Sequence, residues 1–540
     1  MKYIFLLMLF LSTVCYGQEE DAWVYFKDKP SSNTFLNAPI LMLSQRSLDR
    51  RENQEILLDL KDVPIENSYV SDVSSIPGIS VLAKSKWLNA LHIRGSKSSI
   101  DGIVTMSCID SIQFMDKSSN NIASKNFYDK LKYEKELKRS NLNYGVAENQ
   151  VKMIKVDILH EQGYEGTGVH IAVMDAGFKG VESFSAFANL HDGQLSNGEV
   201  MGGYDYVNRS PDYYVSTGTT HGLSVLSTMA GFMDTQFIGS APNALFYLFI
   251  TEDNFSETPL EESLWVEAAE RADSLGVDII NTSLGYTTFD NSSYNYSYSD
   301  MNGATAFISK GAEIACSRGM LLVNSAGNSG NNSWKYISAP ADANSVLTIG
   351  AVNGNREIAS FSSFGPSSDG RIKPEVLSQG QNVYVINGQG NIAISNGTSF
   401  SAPIIAGAAA CLWEAFPTKK ALEIKELIIQ SSDLYHVPTA QRGYGIPNYQ
   451  FIYDSLGNYN ENKEFFKFYP NPTSGFLNLH VGNIKKPYII KVFNLLGDVV
   501  YKEHFQSATV MIDLKFLKSG IYVLKFISNE NVSSFKVIKE

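Results

Sequence analysis

Cysteine is scarce, with four in 540 residues. Cys15 falls in a leader-like segment. That leaves Cys108, Cys316 and Cys411, which form no disulfide scaffold and lack the spacing of a metal site. Cys316 and Cys411 lie in apolar helical patterns and read as buried, inert thiols. An excess of basic charge is also missing. The formal net charge is −12, which argues against a nucleic-acid binder, usually basic on one face, and against docking on an anionic membrane. Long apolar runs are confined to the start. In MKYIFLLMLFLSTVCYGQ, Lys2 precedes an unbroken apolar run over 4–11, and a small residue, Gly17, ends the segment. This is the pattern of a secretory signal peptide, 1–17. The run is far below the roughly 20 residues of a spanning helix, so no transmembrane segment is expected once it is removed. Val14 before Cys15 is not the small residue that a lipid anchor prefers.

What is present is a globular composition, 44% hydrophobic and 19% charged. The length is too great for one core and predicts two to four domains. Residues 18–140 form a first unit of mixed strand and helix patterns. It ends in a lysine-rich stretch, 125–145, that reads as an exposed helix or linker. Over 141–458 short apolar runs end in Gly, Asn, Ser or Asp: VHIAVMDAG, VDIINTSLG, GMLLVNSAGNSG. Helical patterns alternate with them. One spans 258–276, with Thr258 as N-cap, Pro259 in the first turn, Glu261 closing a capping box and Gly276 as the stop. Continuous apolar strands alternating with helices predict an α/β domain with a doubly wound, mostly parallel sheet. Its sites should lie at the carboxyl ends of the strands. A polar break at 454–464 precedes 465–540, where alternating strands separated by turns predict a small all-β domain.

Two serines in NGTSFSAP raise the question of a nucleophile. A serine hydroxyl is inert near neutrality without a base. Residues two apart on a helix point about 200° away from each other, so Ser399 and Ser401 cannot both face one base. Ser399, at the turn-to-helix junction, meets the free N–H groups of the helix start. Asp175 ends a strand, His221 opens a helix of small residues, and Asn328 follows a buried strand with an amide able to donate to an oxyanion. Each also has a plain structural role open to it: Asp175 and Ser399 as caps, Asn328 as a turn residue.

Together, in the order Asp, His, Asn, Ser, these blocks resemble those of the subtilisin-like serine proteases over about 145–455. The resemblance implies that Ser399 attacks the scissile carbonyl, His221 acts as base, Asp175 orients it and Asn328 holds the oxyanion. GVDIINTSLG resembles the family's substrate-flanking strand, which implies a substrate-binding role for Ser283, Leu284 and Gly285. The implied reaction is endopeptidase cleavage of protein or peptide substrates through an acyl-enzyme, without redox or nucleotide cofactor. Many members bind structural calcium, but FMDTQFIGSAP shows no clear calcium loop and no metal ligand is assigned. Three departures stand out. Ala176 replaces the usual hydroxyl residue after the aspartate, Ser224 replaces a second histidine, and GTSFSAP replaces GTSMAAP. Residues 18–140 resemble the propeptides of secreted Bacteroidota subtilases, implying a folding chaperone and inhibitor. A permanent binding domain is the alternative. The tail, with FYPNPTSGFLNL and LKSGIYVLKF, resembles the C-terminal sorting domain of the type IX secretion system. It implies that machinery as a partner and a secreted or outer-surface location. A generic β-sandwich binding carbohydrate or protein is the alternative there. The competing reading of the whole is a catalytically degenerate adhesin, with 286–303 as a binding surface.

Overall fold

A computed structural model describes residues 19–116, 142–461, 466–469, 471–481, 487–507, 509–528 and 531–540. The signal segment and most of the lysine-rich stretch lie outside these residues. Contacts divide the chain into one unit ending at Ile452 and another beginning at Tyr453.

The centre of the first unit is a seven-stranded sheet. Its order is Val376–Gln379, Leu347–Val352, Leu321–Ser325, Ile279–Thr282, His170–Asp175, Leu245–Ile250 and Glu199–Asp205. Every pairing is parallel. Strands such as HIAVMD and LFYLFI are buried at every residue, as a sheet covered on both faces requires. Alternate side chains, among them Ala172, Met174, Ile280 and Leu322, join the core beneath helices Pro259–Leu275 and Phe307–Ser317. Helices His221–Ala230 and Thr398–Ala415 pack against each other as a second pair. The predicted helix starts at Pro259, with Glu261 Oε2 accepting from Thr258 N at 2.9 Å, and stops at Gly276 with φ 83°. From the strand His170–Asp175 the chain winds first toward one edge of the sheet and later toward the other. Ligands bind at such a switch point, outside the carboxyl ends of the strands.

The N-terminal segment is an antiparallel sheet in the order Ile79–Ser85, Ala90–Ser96, Glu19–Phe26, Ile109–Phe114. It lies on the helices Pro259–Leu275 and Phe307–Ser317. Trp23 stacks on Phe307 with ring centroids 4.2 Å apart, and its Nε1 donates to Ser263 Oγ at 3.0 Å. Glu270 accepts from Ser85 Oγ at 2.6 Å and from the backbone N–H of Lys86 and Trp87 at 3.0 and 2.9 Å. Helix Gln45–Asn53 makes a second contact. Arg51 pairs with both Asp62 and Asp273, at 2.7 and 2.8 Å, and Arg50 also reaches Asp273. Burial acts to raise the Asp273 carboxyl, but Arg51 and Arg50 outweigh it and hold it down to about 2.

The second unit has two antiparallel sheets, of three and four strands. Leu477 and Leu479 of one share a buried core with Ile490, Val492, Leu524 and Phe526 of the other. Helix Tyr449–Glu461 runs through most of 454–464, where the polar composition suggested a break. Cys108 and Cys411 are buried, Cys316 is half-buried, and none of the three is bridged. Burial pushes the Cys316 thiol up to about 12. In the loop 286–303, Tyr286, Phe289 and Tyr294 are turned inward, so its aromatic character serves the core more than a surface.

Candidate active site

Asp175 is the last residue of its strand and is 2% exposed. His221 is the first residue of its helix. The helix starts close against the strand because residue 222 is glycine. A β-carbon there would lie 2.8 Å from Gly177 O and 3.0 Å from Asp175 Cβ. This approach lets His221 Nδ1 hydrogen-bond Asp175 Oδ1 at 2.7 Å. Burial acts to lower the His221 pKa. The Asp175 charge and hydrogen bond, with a contribution from Glu252, outweigh burial and raise it above its ordinary value. Burial raises the Glu252 carboxyl itself, which weakens its charge, so Asp175 is the dependable source of the lift. The other oxygen, Asp175 Oδ2, is buried without a partner among the described residues. Residue 176, being alanine, has no hydroxyl to offer it.

Ser399 is the second residue of helix Thr398–Ala415. Gly397 precedes the helix at φ 150° and ψ 148°, a conformation reserved for glycine. Pro403 lies within this helix and has no N–H. The carbonyl of Ser399, four residues back, therefore loses its helical donor. Ser283 Oγ fills the vacancy, donating to Ser399 O at 2.9 Å, and Ser399 Oγ donates to Ser283 O at 3.3 Å. Among the described residues Ser399 Oγ makes no hydrogen bond to His221. Catalytic hydrogen bonds are commonly loose before substrate arrives. Ser401 is fully buried, and its hydroxyl donates back to Thr398 O at 2.9 Å.

Asn328 is exposed, three residues beyond the strand Leu321–Ser325. Its Oδ1 accepts from Thr398 N at 2.9 Å and from Thr398 Oγ1 at 3.1 Å. With the oxygen so engaged, Nδ2 is left without a protein partner among the described residues. Asp175 thus ends one strand, Ser283 and Asn328 follow two neighbouring parallel strands, and helix starts bring His221 and Ser399 to the same carboxyl side of the sheet.

A model of the subtilase family matches residues 166–447, more than half of the chain. The chain is a subtilase. It is similar to subtilisin DY of Bacillus licheniformis, 31% identical over 278 residues, which is 51% of this chain and 87% of that one. It is also similar to subtilisin NAT of Bacillus subtilis subsp. natto, 30% identical over 310 residues, 57% of this chain and 70% of that one. Among solved structures, the prenylagaramide maturation protease PagA aligns with a TM-score of 0.44 at 20% identity, over 56% of this chain and 98% of that one. Residues 21–132 match the Bacteroidota propeptide domain of peptidase S8, and 467–540 match a secretion-system C-terminal sorting domain. This subtilase is therefore a serine endopeptidase made as a zymogen, secreted or held at the cell surface through a type IX sorting tail. The noncatalytic adhesin reading is not favoured by these matches. No described helix is long and apolar enough to cross a membrane.

The subtilase site also holds residues that sequence reasoning missed. Thr398 orients the Asn328 amide, and its place in NGTS gave no sign of that. Phe400, next to Ser399, packs its ring 5.7 Å from the His221 ring. The change from GTSM to GTSF was visible, but this contact was not. Leu284 is half-buried and Gly285 exposed beside Ser283. Among the described residues no group of three or more His, Cys, Asp and Glu is arranged to hold a metal ion.

Proposed function

We propose that this endopeptidase cleaves peptide bonds through an acyl-enzyme on Ser399. The Ser399 oxygen attacks the scissile carbonyl while its proton passes to His221 Nε2. Asp175 fixes the imidazole through Nδ1 and stabilises its charged form. Asn328 Nδ2 and the Ser399 backbone N–H receive the oxyanion. Removing such an asparagine from a subtilisin costs about 2.7–4 kcal/mol of barrier. The tetrahedral adduct collapses, His221 returns the proton to the leaving amine, and water then releases the acyl group by the same route. Ser283, Leu284 and Gly285 flank the substrate, which pairs as an extended strand. Neither metal nor organic cofactor takes part in these steps. The observation that carries the reading is the 2.7 Å Asp175–His221 hydrogen bond at the carboxyl edge of the sheet.

The test is to treat the processed enzyme with a fluorophosphonate probe and map the labelled peptide by mass spectrometry. Label is expected on Ser399 and should be lost in Ser399→Ala and His221→Ala. Folded, propeptide-free wild type that takes no label would overturn the assignment. The type IX machinery is the proposed export partner. Deleting 465–540 should abolish release, and undiminished export would refute that pairing.

A further inference from the structure

Strand Val383–Ile386 turns back and pairs antiparallel with strand Ile392–Ser395. In the turn, Asn387 N donates to Asn391 O at 2.9 Å. The next pair, Ile386 and Ile392, is then of the kind that exchanges no hydrogen bonds, so the N–H and C=O of Ile386 point away from the hairpin. Both are met by the helix His221–Ala230. Ser227 Oγ accepts from Ile386 N at 2.9 Å, and Ser224 Oγ donates to Ile386 O at 2.8 Å. Residues three apart share one face of a helix, which lets two hydroxyls grip the two backbone groups of one residue. Ser227 is fully buried and gives its own proton to Ser224 O at 2.7 Å. A third contact lies just before the helix. A β-carbon at Gly388, in the hairpin turn, would overlap the Thr220 hydroxyl. Serine is a poorer helix former than alanine, and a hydroxyl bonded back along its own helix competes with the ladder. The two serines therefore weaken their helix locally while they tie it to the hairpin.

The other end of the hairpin leads to the nucleophile. From Ser395 the chain reaches Ser399 in four residues. This stretch is fixed at the base of the hairpin, where Gly397 N donates to Gly380 O at 2.8 Å and Asn382 N donates to Asn396 Oδ1 at 2.8 Å. Ser399 Oγ is bonded to Ser283 O rather than to His221, so the spacing of base and nucleophile has to be set by the elements that carry them. We infer that Ser224 and Ser227 are positioning residues, which hold the His221 imidazole within reach of Ser399 by hooking its helix to the hairpin 383–395. This rests on the catalytic reading above and adds two residues that act through His221 and touch no substrate.

The experiment measures kcat, KM and the rate of fluorophosphonate labelling for wild type, Ser224→Ala, Ser224→Thr and Ser227→Ala. Each is matured by tagged wild-type enzyme that is then withdrawn, and the urea midpoint of each is taken on the same sample. Ser224 is half-buried, so threonine has room there and keeps the hydroxyl. A displacement of about 1 Å can cost about a hundredfold in rate. Ser224→Ala and Ser227→Ala should each lower kcat and the labelling rate by about ten- to a hundredfold, in protein that remains folded. KM should stay within about threefold, since no substrate contact is removed. Ser224→Thr should return both rates to within about threefold of wild type. Rates in both alanine variants within about twofold of wild type would overturn the inference. So would a loss that follows unfolding, or one that Ser224→Thr does not restore. In each of these cases a labelled wild type leaves the Ser399 assignment intact. Folded, propeptide-free wild type that takes no label overturns the two together.

Discussion

His221 is held above its ordinary value of 6.5 by a buried carboxylate, and this sets the pH at which it can serve as a base. In the proposed mechanism only the neutral imidazole accepts the Ser399 proton. The active fraction therefore grows as pH rises through the raised pKa. The profile of kcat/KM on a peptide should be half-maximal above pH 6.5. Asp175→Asn removes the main cause of the rise. It should move that midpoint downward and lower kcat by about four orders of magnitude. An unmoved midpoint would show that Asp175 does not control the imidazole. Asp175 and His221 were legible in the sequence because each sits where a strand ends or a helix begins beside small residues. So was the missing hydroxyl at 176, beside an Asp175 Oδ2 that has no partner among the described residues. The hold of Thr398 on the Asn328 amide was not legible, since it joins residues 70 positions apart.

Among the elements, the helix Thr398–Ala415 shows how a local defect is used. Pro403 interrupts the hydrogen-bond ladder one turn after Ser399, and a hydroxyl from a neighbouring strand end makes good the loss. Ser283→Ala should leave the Ser399 carbonyl buried and unpaired, at a cost of about 1–3 kcal/mol. Urea unfolding of the full chain in a Ser399→Ala background, which stops self-cleavage, would read this. A change below about 0.5 kcal/mol would mean the bond contributes little. Helix Pro259–Leu275 could be placed from its capping residues and closing glycine alone. Strand order could not, because parallel neighbours are chosen by long crossovers and leave no mark in any one strand. The helical course of 449–461 was hidden as well, since the Asn- and Gly-containing stretch DSLGNYNE argued locally for a linker.

At the scale of the whole molecule, the N-terminal segment is bound to the protease by two devices that answer differently to pH. Asp273 lies between Arg50 and Arg51, and its carboxyl stays ionised down to about 2. Its contribution is fully present above the ordinary 3.8 and fades only as pH falls from there toward 2. Glu270 is the opposite case. Burial, against the opposing pull of Lys86 and three donors, pushes its carboxyl up to about 7. The bound state thus favours the protonated form. Binding should weaken as pH climbs from 4.5 to about 7 and then level off. Titrating the affinity of the cleaved segment for the Ser399→Ala enzyme would test this, and Glu270→Gln should flatten that stretch of the curve. Arg51→Met leaves buried carboxylates short of a partner, a cost of about 3–5 kcal/mol. It should raise the dissociation constant by about two to four orders of magnitude, whereas an unchanged constant would assign the holding to the sheet contact alone. The three-part plan of the chain was legible from its changes of pattern, but this arginine clamp was not, since it joins residues 222 positions apart. The stacking of Trp23 on Phe307 has an optical consequence. Of the five tryptophans, Trp23 and Trp87 belong to the N-terminal segment, and both are buried against the protease. When the segment leaves, two indoles pass from a dry interface into water and their fluorescence shifts to longer wavelength. The zymogen therefore carries its own unlabelled reporter of activation, readable in real time by emission alone.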